Sequence, residues 1–426
     1  MLVSYSLNNF MSIGNQQTLS LVPSGIKRNE ACRTIIRSSE SENSKLLRCA
    51  GIFGANASGK TNFLVSLYFL RAIILNSTTS SLDNEKNILA KLLPFLLNRD
   101  GISRPITFEL VFIEKNIKYR YGLEIFNNEI ENEWLFWTKK TRETNLFNRN
   151  KLTVEYNQRS FKEATPFVQE VGDSKTIKNT KPTTPFISVL ANFNGSISQQ
   201  VINWFNNLKI ISGLGNENFQ NFSLSKYEND NDFIKWTAEI LKAFQIYGIE
   251  VVKEDKPDDS SNDLTRLTEV NQTNKKVLKV KKSVNDITFP LTLESEGTIK
   301  LVYLLGPIYD AIVNNRVVFV DEFDSKFHSL LSKKIIDIFL SDCKTKSQLI
   351  FTAHDTNLLD RSIFYRDQIW FTEKDENQST QLYSLVEFRD KYVRKDETFS
   401  KDYLSGKYGA IPLFDSLDKV EELIDG

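Results

Sequence analysis

Histidine, cysteine and any surplus of charge are what this sequence has least of. Two histidines in 426 residues, His328 and His354, exclude a histidine-rich metal centre. The three cysteines, Cys32, Cys49 and Cys343, are odd in number and widely spaced, so they make no metal-ligand pattern, and a reducing cytoplasm suits them best. Lys plus Arg (54) equals Asp plus Glu (54), which removes any global field drawing the chain to nucleic acid or a membrane. Such a contact needs a local patch. Long apolar runs are missing as well: residues 64–75 are interrupted by Ser66 and Arg71 and fall short of the roughly 20 residues of a membrane span. Residues 1–10 lack the basic start and apolar centre of a signal peptide.

What is present is an ordinary globular composition, 40% hydrophobic and 25% charged, on a chain too long for one small core. Two or three lobes are expected. Residues 1–23 alternate in short stretches about Gly14-Asn15 and predict a β-hairpin, and 24–45 are polar enough for a loop. A short apolar run, 46–53, predicts a buried strand ending at Gly54, and 61–75 place Phe63, Leu64, Leu67, Leu70, Ile73 and Ile74 at helical spacing. Three β-rich runs in 106–139, separated by Lys115-Asn116 and Asn127-Asn128, predict an antiparallel meander. Helical patterns around 201–208 and 233–244 predict a helical insert over 157–250; 255–274 predict a mobile polar loop, and 277–293 are β-like. From Gly297 the order helix, strand (317–320), helix (330–339), strand (348–352) indicates parallel βαβ units. The expected lobes are therefore 1–156, 157–250 and 251–426, in an α/β fold with a mostly parallel core sheet, an antiparallel β subdomain and a helical insert. There are no internal repeats.

Gly54-Ala-Asn56-Ala57-Ser58-Gly59-Lys60-Thr61 fills every fixed position of the P-loop pattern G-x-x-x-x-G-K-[ST]. Its glycines let backbone wrap phosphates, and the following helix offers free N–H groups to them. Lys60 is placed to reach the β- and γ-phosphates, and the Thr61 hydroxyl to ligate Mg²⁺. An apolar strand then delivers Asp321 and Glu322 to its C-terminal end, where ligands of open α/β sheets sit. Asp321 would meet the Mg²⁺, and Glu322 would polarise the attacking water as a general base. His354 follows the next strand, where an imidazole contacts the γ-phosphate, orders the water, or is structural.

An Asn inside the P-loop (Asn56), the Asp321-Glu322 pair and the His354 position together resemble the ABC-type ATPases of the SMC- and OLD-like group, not hexameric AAA+ machines. The resemblance implies ATP and Mg²⁺ as ligands and head-to-tail pairing, each copy lending a short signature to its partner's ATP. Glu294-Ser295-Glu296-Gly297-Thr298 stands in the place of that signature, with Ser295 and Gly297 retained and the rest of L-S-G-G-Q absent. A plain helix N-cap is the alternative reading of Ser295. Asp324 matches the D-loop position; His328 reads as mainly structural.

A closer resemblance is to the AAA15-type ATPases of bacterial abortive-infection and restriction-linked loci, the RloA and AbiLi group. It is carried by Asn9-Phe-Met-Ser-Ile13, Tyr119-Arg-Tyr-Gly122, Glu294 to Gly297, His354-Asp-Thr-Asn-Leu358, Arg366-Asp-Gln-Ile-Trp-Phe371 with Glu373-Lys374, and Tyr403-Leu-Ser-Gly-Lys-Tyr-Gly-Ala-Ile-Pro412. Residues 140–280 match only in general character. The resemblance implies an antiphage sensor or switch, homodimeric or higher, working beside a separate effector of nuclease type.

The chain shows no nuclease centre of its own. Asp255, Asp258 and Asp259 lie in a polar loop and read as solvated acids. Lys275, Lys276, Lys279, Lys281 and Lys282 form the one basic run, either a solvated strand or a contact to nucleic-acid phosphates. The tail, 401–424, with Tyr403, Tyr408, Ile411 and Phe414, reads as a docking element or as an edge of the core. Two other functions stay in view. A DNA-repair ATPase of the SMC or RecF sort needs sustained heptads, which 140–280 do not supply. A transporter subunit is opposed by the size, the insert and the poor L-S-G-G-Q match.

Overall fold

Two kinds of strand recur along this chain: half-buried strands that alternate, and short strands buried on both faces. The computed structural model describes residues 1–27, 35–37, 45–77, 88–211, 217–253, 276–282, 287–341, 344–388 and 398–412. They fall into a larger unit, Met1–Ile210 with Asn315–Gly426, and a smaller one, Ile211–Asn314. The expected mobile loop with Asp255, Asp258 and Asp259 lies outside the described residues, as do Cys32, Lys275, Cys343 and Phe414.

In the larger unit, β1 (Leu2–Asn8) and β2 (Gln17–Ser20) form the expected opening hairpin. β3 (Ile35–Arg37) pairs with β4 (Lys45–Leu47), so a short ladder occupies part of the stretch expected as loop; three residues are too few to register an alternation. β5 (Cys49–Gly54) is buried throughout. β6 (Ile106–Glu114), β7 (Ile117–Phe126) and β8 (Glu129–Thr138) are the expected meander, joined by two-residue turns at Lys115-Asn116 (φ 47° and 63°) and Asn127-Asn128 (φ 50° and 61°). Two successive positive φ values match the twist of the flanking strands, which is why asparagine sits there. The ladder continues through β9 (Glu143–Asn150), β10 (Thr153–Tyr156), β11 (Val168–Val171) and β12 (Ser174–Ile177). The full sheet runs β11-β12-β10-β9-β8-β7-β6-β1-β2, antiparallel at every pairing.

Residues 157–250, expected as one helical insert, divide between the units. β11 and β12 belong to the antiparallel sheet, and the helices Phe186–Asn192 and Ser196–Asn207 bury Phe186, Leu190, Trp204 and Phe205 in its core, with Trp204 4.6 Å from the Phe112 ring. The change of character at 157 marks the end of long strands, not the end of the unit. β13 (Lys209–Ile211) then forms one edge of the second sheet.

The smaller unit holds β14 (Gly248–Lys253), β15 (Lys276–Lys281) and β16 (Thr288–Pro290) in one antiparallel sheet, with helices Glu217–Asn229, Asn231–Leu241 and Glu296–Val313. Tyr227 donates to the Val302 carbonyl (3.1 Å) and Phe233 packs 5.2 Å from Tyr309, tying these helices together.

Back in the larger unit, β17 (Val317–Val320), β18 (Gln348–Thr352), β19 (Ile369–Lys374) and β20 (Thr380–Ser384) complete the second sheet, in the order β13-β17-β18-β5-β19-β20. β17, β18, β5 and β19 are parallel, as the βαβ pattern predicts, and β20 returns antiparallel. Every residue of β17, β18 and β5 is buried, the mark of central parallel strands covered on both faces. This is an α/β P-loop fold: the parallel order aligns the carboxyl ends of β5, β17 and β18. No helix of the described residues is long and apolar enough to cross a membrane.

Candidate active site

β5 ends at Gly54 (φ 154°), and Gly59 (φ 108°) turns the chain into the helix Lys60–Asn76. Neither position tolerates a side chain. A Cβ at Gly54 would stand 2.4 Å from the Thr372 carbonyl oxygen, and one at Gly59 would stand 2.1 Å from Thr380 Oγ1. The helix buries Phe63, Leu64, Leu67, Leu70, Ile73 and Ile74, the positions its spacing predicts, so its start is anchored to the sheet. No acidic side chain occupies its first turn and no side chain caps it, which leaves its N–H groups and positive end facing the loop. Lys60 is buried and donates to the carbonyls of Gly54 (2.7 Å) and Ala55 (2.8 Å). Burial pushes its ammonium down to about 8, against the pull of Asp321, Asp324 and Glu322.

The carboxylates come from the end of β17. Asp321 is buried and accepts the Thr352 hydroxyl at 2.6 Å and the Thr61 hydroxyl at 3.4 Å, both on Oδ1. Glu322 has a left-handed backbone (φ 47°), and its N–H donates to Thr352 Oγ1 at 2.8 Å. One hydroxyl therefore fixes both acids, and Thr352, which the sequence reading passed over, belongs to the site. Its only signal was its place at the end of β18, two residues before His354. Asp324 accepts the backbone N–H groups of His354 (2.8 Å) and Asp355, so it pins the turn that carries the imidazole. Burial and the Lys60 charge push the His354 pKa below its ordinary value, against Asp324, Glu322 and Asp321, which favours the neutral ring.

Asn56, Ala57, Ser58, Gly59, Lys60, Thr61, Asn62, Glu322 and His354 line one cavity of about 470 Å³. A larger cavity, about 850 Å³, lies on the antiparallel sheet around Arg120, Trp134 and Lys175 and holds none of these residues. Beneath the loop runs a chain of hydroxyls that sequence spacing does not reveal. Ser58 Oγ pairs with Thr372 Oγ1 (2.6 Å), the Ser58 carbonyl accepts Thr380 Oγ1 (2.9 Å), and Thr380 meets Ser12 Oγ (2.9 Å), which accepts Asn62 Nδ2 (2.8 Å). Ser12 belongs to the 9–13 motif, Thr372 to β19 beside β5, and Thr380 to β20 beyond it. That adjacency is visible only once the sheet order is known.

Ser295 and Gly297 lie in the smaller unit. Ser295 is the N-cap of the helix Glu296–Val313, accepting the Thr298 N–H at 3.2 Å and meeting Thr298 Oγ1 at 2.9 Å. His328 is exposed, and its Nδ1 accepts the Leu330 N–H (3.2 Å) at the start of the helix Ser329–Ser341. In the basic run, Lys276 pairs with Glu228 (2.6 Å) and Lys282 with Glu294 (2.9 Å), while Leu278 and Val280 turn inward. The described part of the tail packs on Phe371: the Tyr403 ring lies 5.3 Å from it and the Tyr408 ring 5.8 Å.

Three solved structures resemble the chain, each over 90% of its length. The SMC head domain from Thermotoga maritima shares 12% identity at a TM-score of 0.39, with 98% of that chain covered. An Smc head bound to the C-winged helix domain of ScpA shares 11% at 0.44, with 97% covered. An Smc head with an extended coiled coil, bound to the C-terminal domain of ScpA derived from Pyrococcus furiosus, shares 10% at 0.41, with 96% covered. No curated protein matches the chain. A family model does: the one described as "AAA domain, putative AbiEii toxin, Type IV TA system" matches residues 49–360, and the chain belongs to that family.

Proposed function

We propose that this chain binds ATP with Mg²⁺ at residues 54–61, hydrolyses it, and uses the cycle as a switch over a separate effector in antiphage defence. One observation carries the hydrolytic reading: the phosphate loop, Glu322 and His354 line the same cavity. Lys60 would leave the Gly54 and Ala55 carbonyls for the β- and γ-phosphates, while the loop N–H groups and the helix start hold the rest. Thr61 and Asp321 fit Mg²⁺: both present hard oxygens, 3.4 Å apart, close to the roughly 3 Å between neighbouring ligands of an octahedral ion with bonds of about 2.1 Å. The ion would neutralise phosphate charge. Glu322 would take the proton of the attacking water, and neutral His354 would orient that water.

The switch reading draws on the family description, which names an AbiEii toxin, and on the resemblance of the quoted motifs to those of abortive-infection ATPases. Ser295 and Gly297 would serve the ATP of a second copy and Asp324 would couple the two sites, making a homodimer, or a higher oligomer, the active unit. The effector would be a nuclease-type partner. The test is one set of variants. Glu322→Gln should bind ATP as the parent does and lose turnover about 100-fold, while Lys60→Ala should lose binding. Phage protection in cells should need both Lys60 and the neighbouring effector gene. Undiminished turnover in Glu322→Gln, or metal-dependent nuclease activity of the chain alone that survives Lys60→Ala, would sink the reading.

A further inference from the structure

The described end of the chain reaches the phosphate loop directly. After the helix Phe399–Leu404 the backbone makes a tight reversal with three left-handed residues, Gly406 (φ 77°), Gly409 (φ 66°) and Ala410 (φ 57°). Gly409 is required, because a Cβ there would stand 2.5 Å from Glu373 Oε2 and 2.8 Å from Tyr383 Oη. Ala410 is the unusual member, a buried residue with a Cβ in a conformation that glycine would hold without cost. Such strain persists only where the surroundings over-determine it. Here they do. Tyr403 and Tyr408 stack on Phe371, Tyr408 donates to Asp402 (2.6 Å), and the Tyr408 carbonyl accepts the Tyr383 hydroxyl (2.7 Å). Both polar groups of the Ala410 backbone are then held: its N–H donates to Glu373 Oε2 (2.9 Å), and its carbonyl accepts the Tyr403 hydroxyl (2.7 Å). The same carbonyl accepts the N–H of Ala55 at 2.9 Å, the first residue after Gly54, and the Ala55 carbonyl accepts Lys60 Nζ at 2.8 Å.

From this geometry we infer that the tail turn is a positioning element of the nucleotide site, with Tyr403 and Glu373 as positioning residues acting through Ala410 on the loop. The inference rests on the reading of residues 54–61 as the ATP loop. The Ala55 N–H is occupied by the tail, so phosphate falls to the later amides, and the peptide that receives Lys60 is held from outside the loop. Losing one of these hydrogen bonds should loosen the loop before phosphate binds and weaken ATP accordingly, with little change in the chemical step.

The test uses the full chain, titrated with a fluorescent ATP analogue and assayed for turnover. Tyr403→Phe and Glu373→Ala should each raise the Kd and KM for ATP about five-fold, the effect of one ordinary hydrogen bond, with kcat within about two-fold of the parent. Glu373→Gln keeps an acceptor oxygen and should restore affinity. Ser405→Ala removes a tail contact, its bond to the Asp402 carbonyl, that does not involve Ala410, and should leave affinity unchanged. Parental affinity in both Tyr403→Phe and Glu373→Ala, while Lys60→Ala loses binding, would overturn the tail's role and leave the ATP site standing. A loss in Ser405→Ala as large as that in Tyr403→Phe would reduce the tail to a fold element. No ATP binding by the parent, or none lost in Lys60→Ala, would remove the ATP reading itself and this inference with it.

Discussion

Glu133 in the antiparallel sheet and Asp321 at the end of β17 are both carboxylates with almost no exposed surface, yet the fold treats them differently. Both oxygens of Glu133 are engaged. They accept Arg149 Nη1 (3.1 Å), the Tyr121 hydroxyl (3.1 Å), and the N–H groups of Phe186 (2.7 Å) and Ile187 (3.0 Å) at the start of a helix. Arg149 in turn donates to the Thr184 carbonyl. That buried charge is closed: it is matched, hydrogen-bonded and shielded. Asp321 takes two hydroxyls on one oxygen and has a lysine in its field, and Oδ2 accepts no hydrogen bond among the described residues. An oxygen that no protein group engages is what the proposed Mg²⁺ ligand would need, and Glu133 has none to offer.

The largest contrast should appear when each acid is removed. Glu133→Ala leaves Arg149 buried without its partner and two helix N–H groups without an acceptor, and should cost about 3–5 kcal/mol in urea denaturation. Asp321→Ala should cost about 1 kcal/mol or less, since only hydroxyl contacts are lost, while ATP turnover falls at least about 100-fold. Equal losses of stability in the two variants would break the comparison.

Lys60 supplies the next effect, in its pH dependence. Its folded pKa, about 8, lies below the ordinary 10.5, so the fold releases this proton first. The stability penalty of burying it is complete below pH 8 and eases as pH rises from about 8 toward 10.5. ATP affinity should run the other way, because a neutral amine pairs poorly with phosphate. Titrations from pH 7 to 9.5 should show Kd flat below about 8 and rising by up to about ten-fold per unit above it. A flat profile throughout would mean that Lys60 does not meet phosphate as an ion.

Thr352 sharpens the comparison at smaller scale. Thr352→Val removes the hydroxyl that fixes both Asp321 and the Glu322 N–H; turnover should fall about ten-fold, with about 1 kcal/mol of stability lost, and Thr352→Ser should restore both. Turnover unchanged in the valine variant would show that Glu322 is held by something else.

The two regions also differ in what could be read from the residues. The phosphate loop was legible because its chemistry is local: eight consecutive residues between a strand and a helix. Asp321, Glu322 and His354 were legible at strand ends because parallel strands bring those ends together. The Glu133–Arg149 pair was not, since its partners are ordinary charges sixteen positions apart until β8 and β9 pair. Nor were the props of the loop: Ser12, Thr372 and Thr380 are common residues on three different strands or turns, and they meet only through the order β5-β19-β20 and the packing of residue 12 against it. The lobe boundary expected at 157 misled for a related reason, because short strands such as β11 and β12 carry too few residues to show their period.

Ser295 is where the contrast between a group used by the fold and a group kept for a ligand is finest. Its hydroxyl caps the helix Glu296–Val313, as the simpler reading of the sequence anticipated, and that role alone predicts a modest outcome. Ser295→Ala should lose about 1 kcal/mol, the ordinary value of an N-cap, and Ser295→Asp should lose almost nothing, since aspartate caps as well as serine and favours the helix start electrostatically. Stability therefore cannot separate the two roles, but turnover can. A cap that also faced the phosphates of a second copy's ATP would place a carboxylate against them in Ser295→Asp, and like charges repel strongly where water is excluded. The expected result is a protein as stable as its parent whose ATPase activity is lost, and regained when mixed with Lys60→Ala chains that carry an intact Ser295. If Ser295→Asp turns over ATP as the parent does, Ser295 belongs to the fold in the way Glu133 does, and the composite site needs another residue.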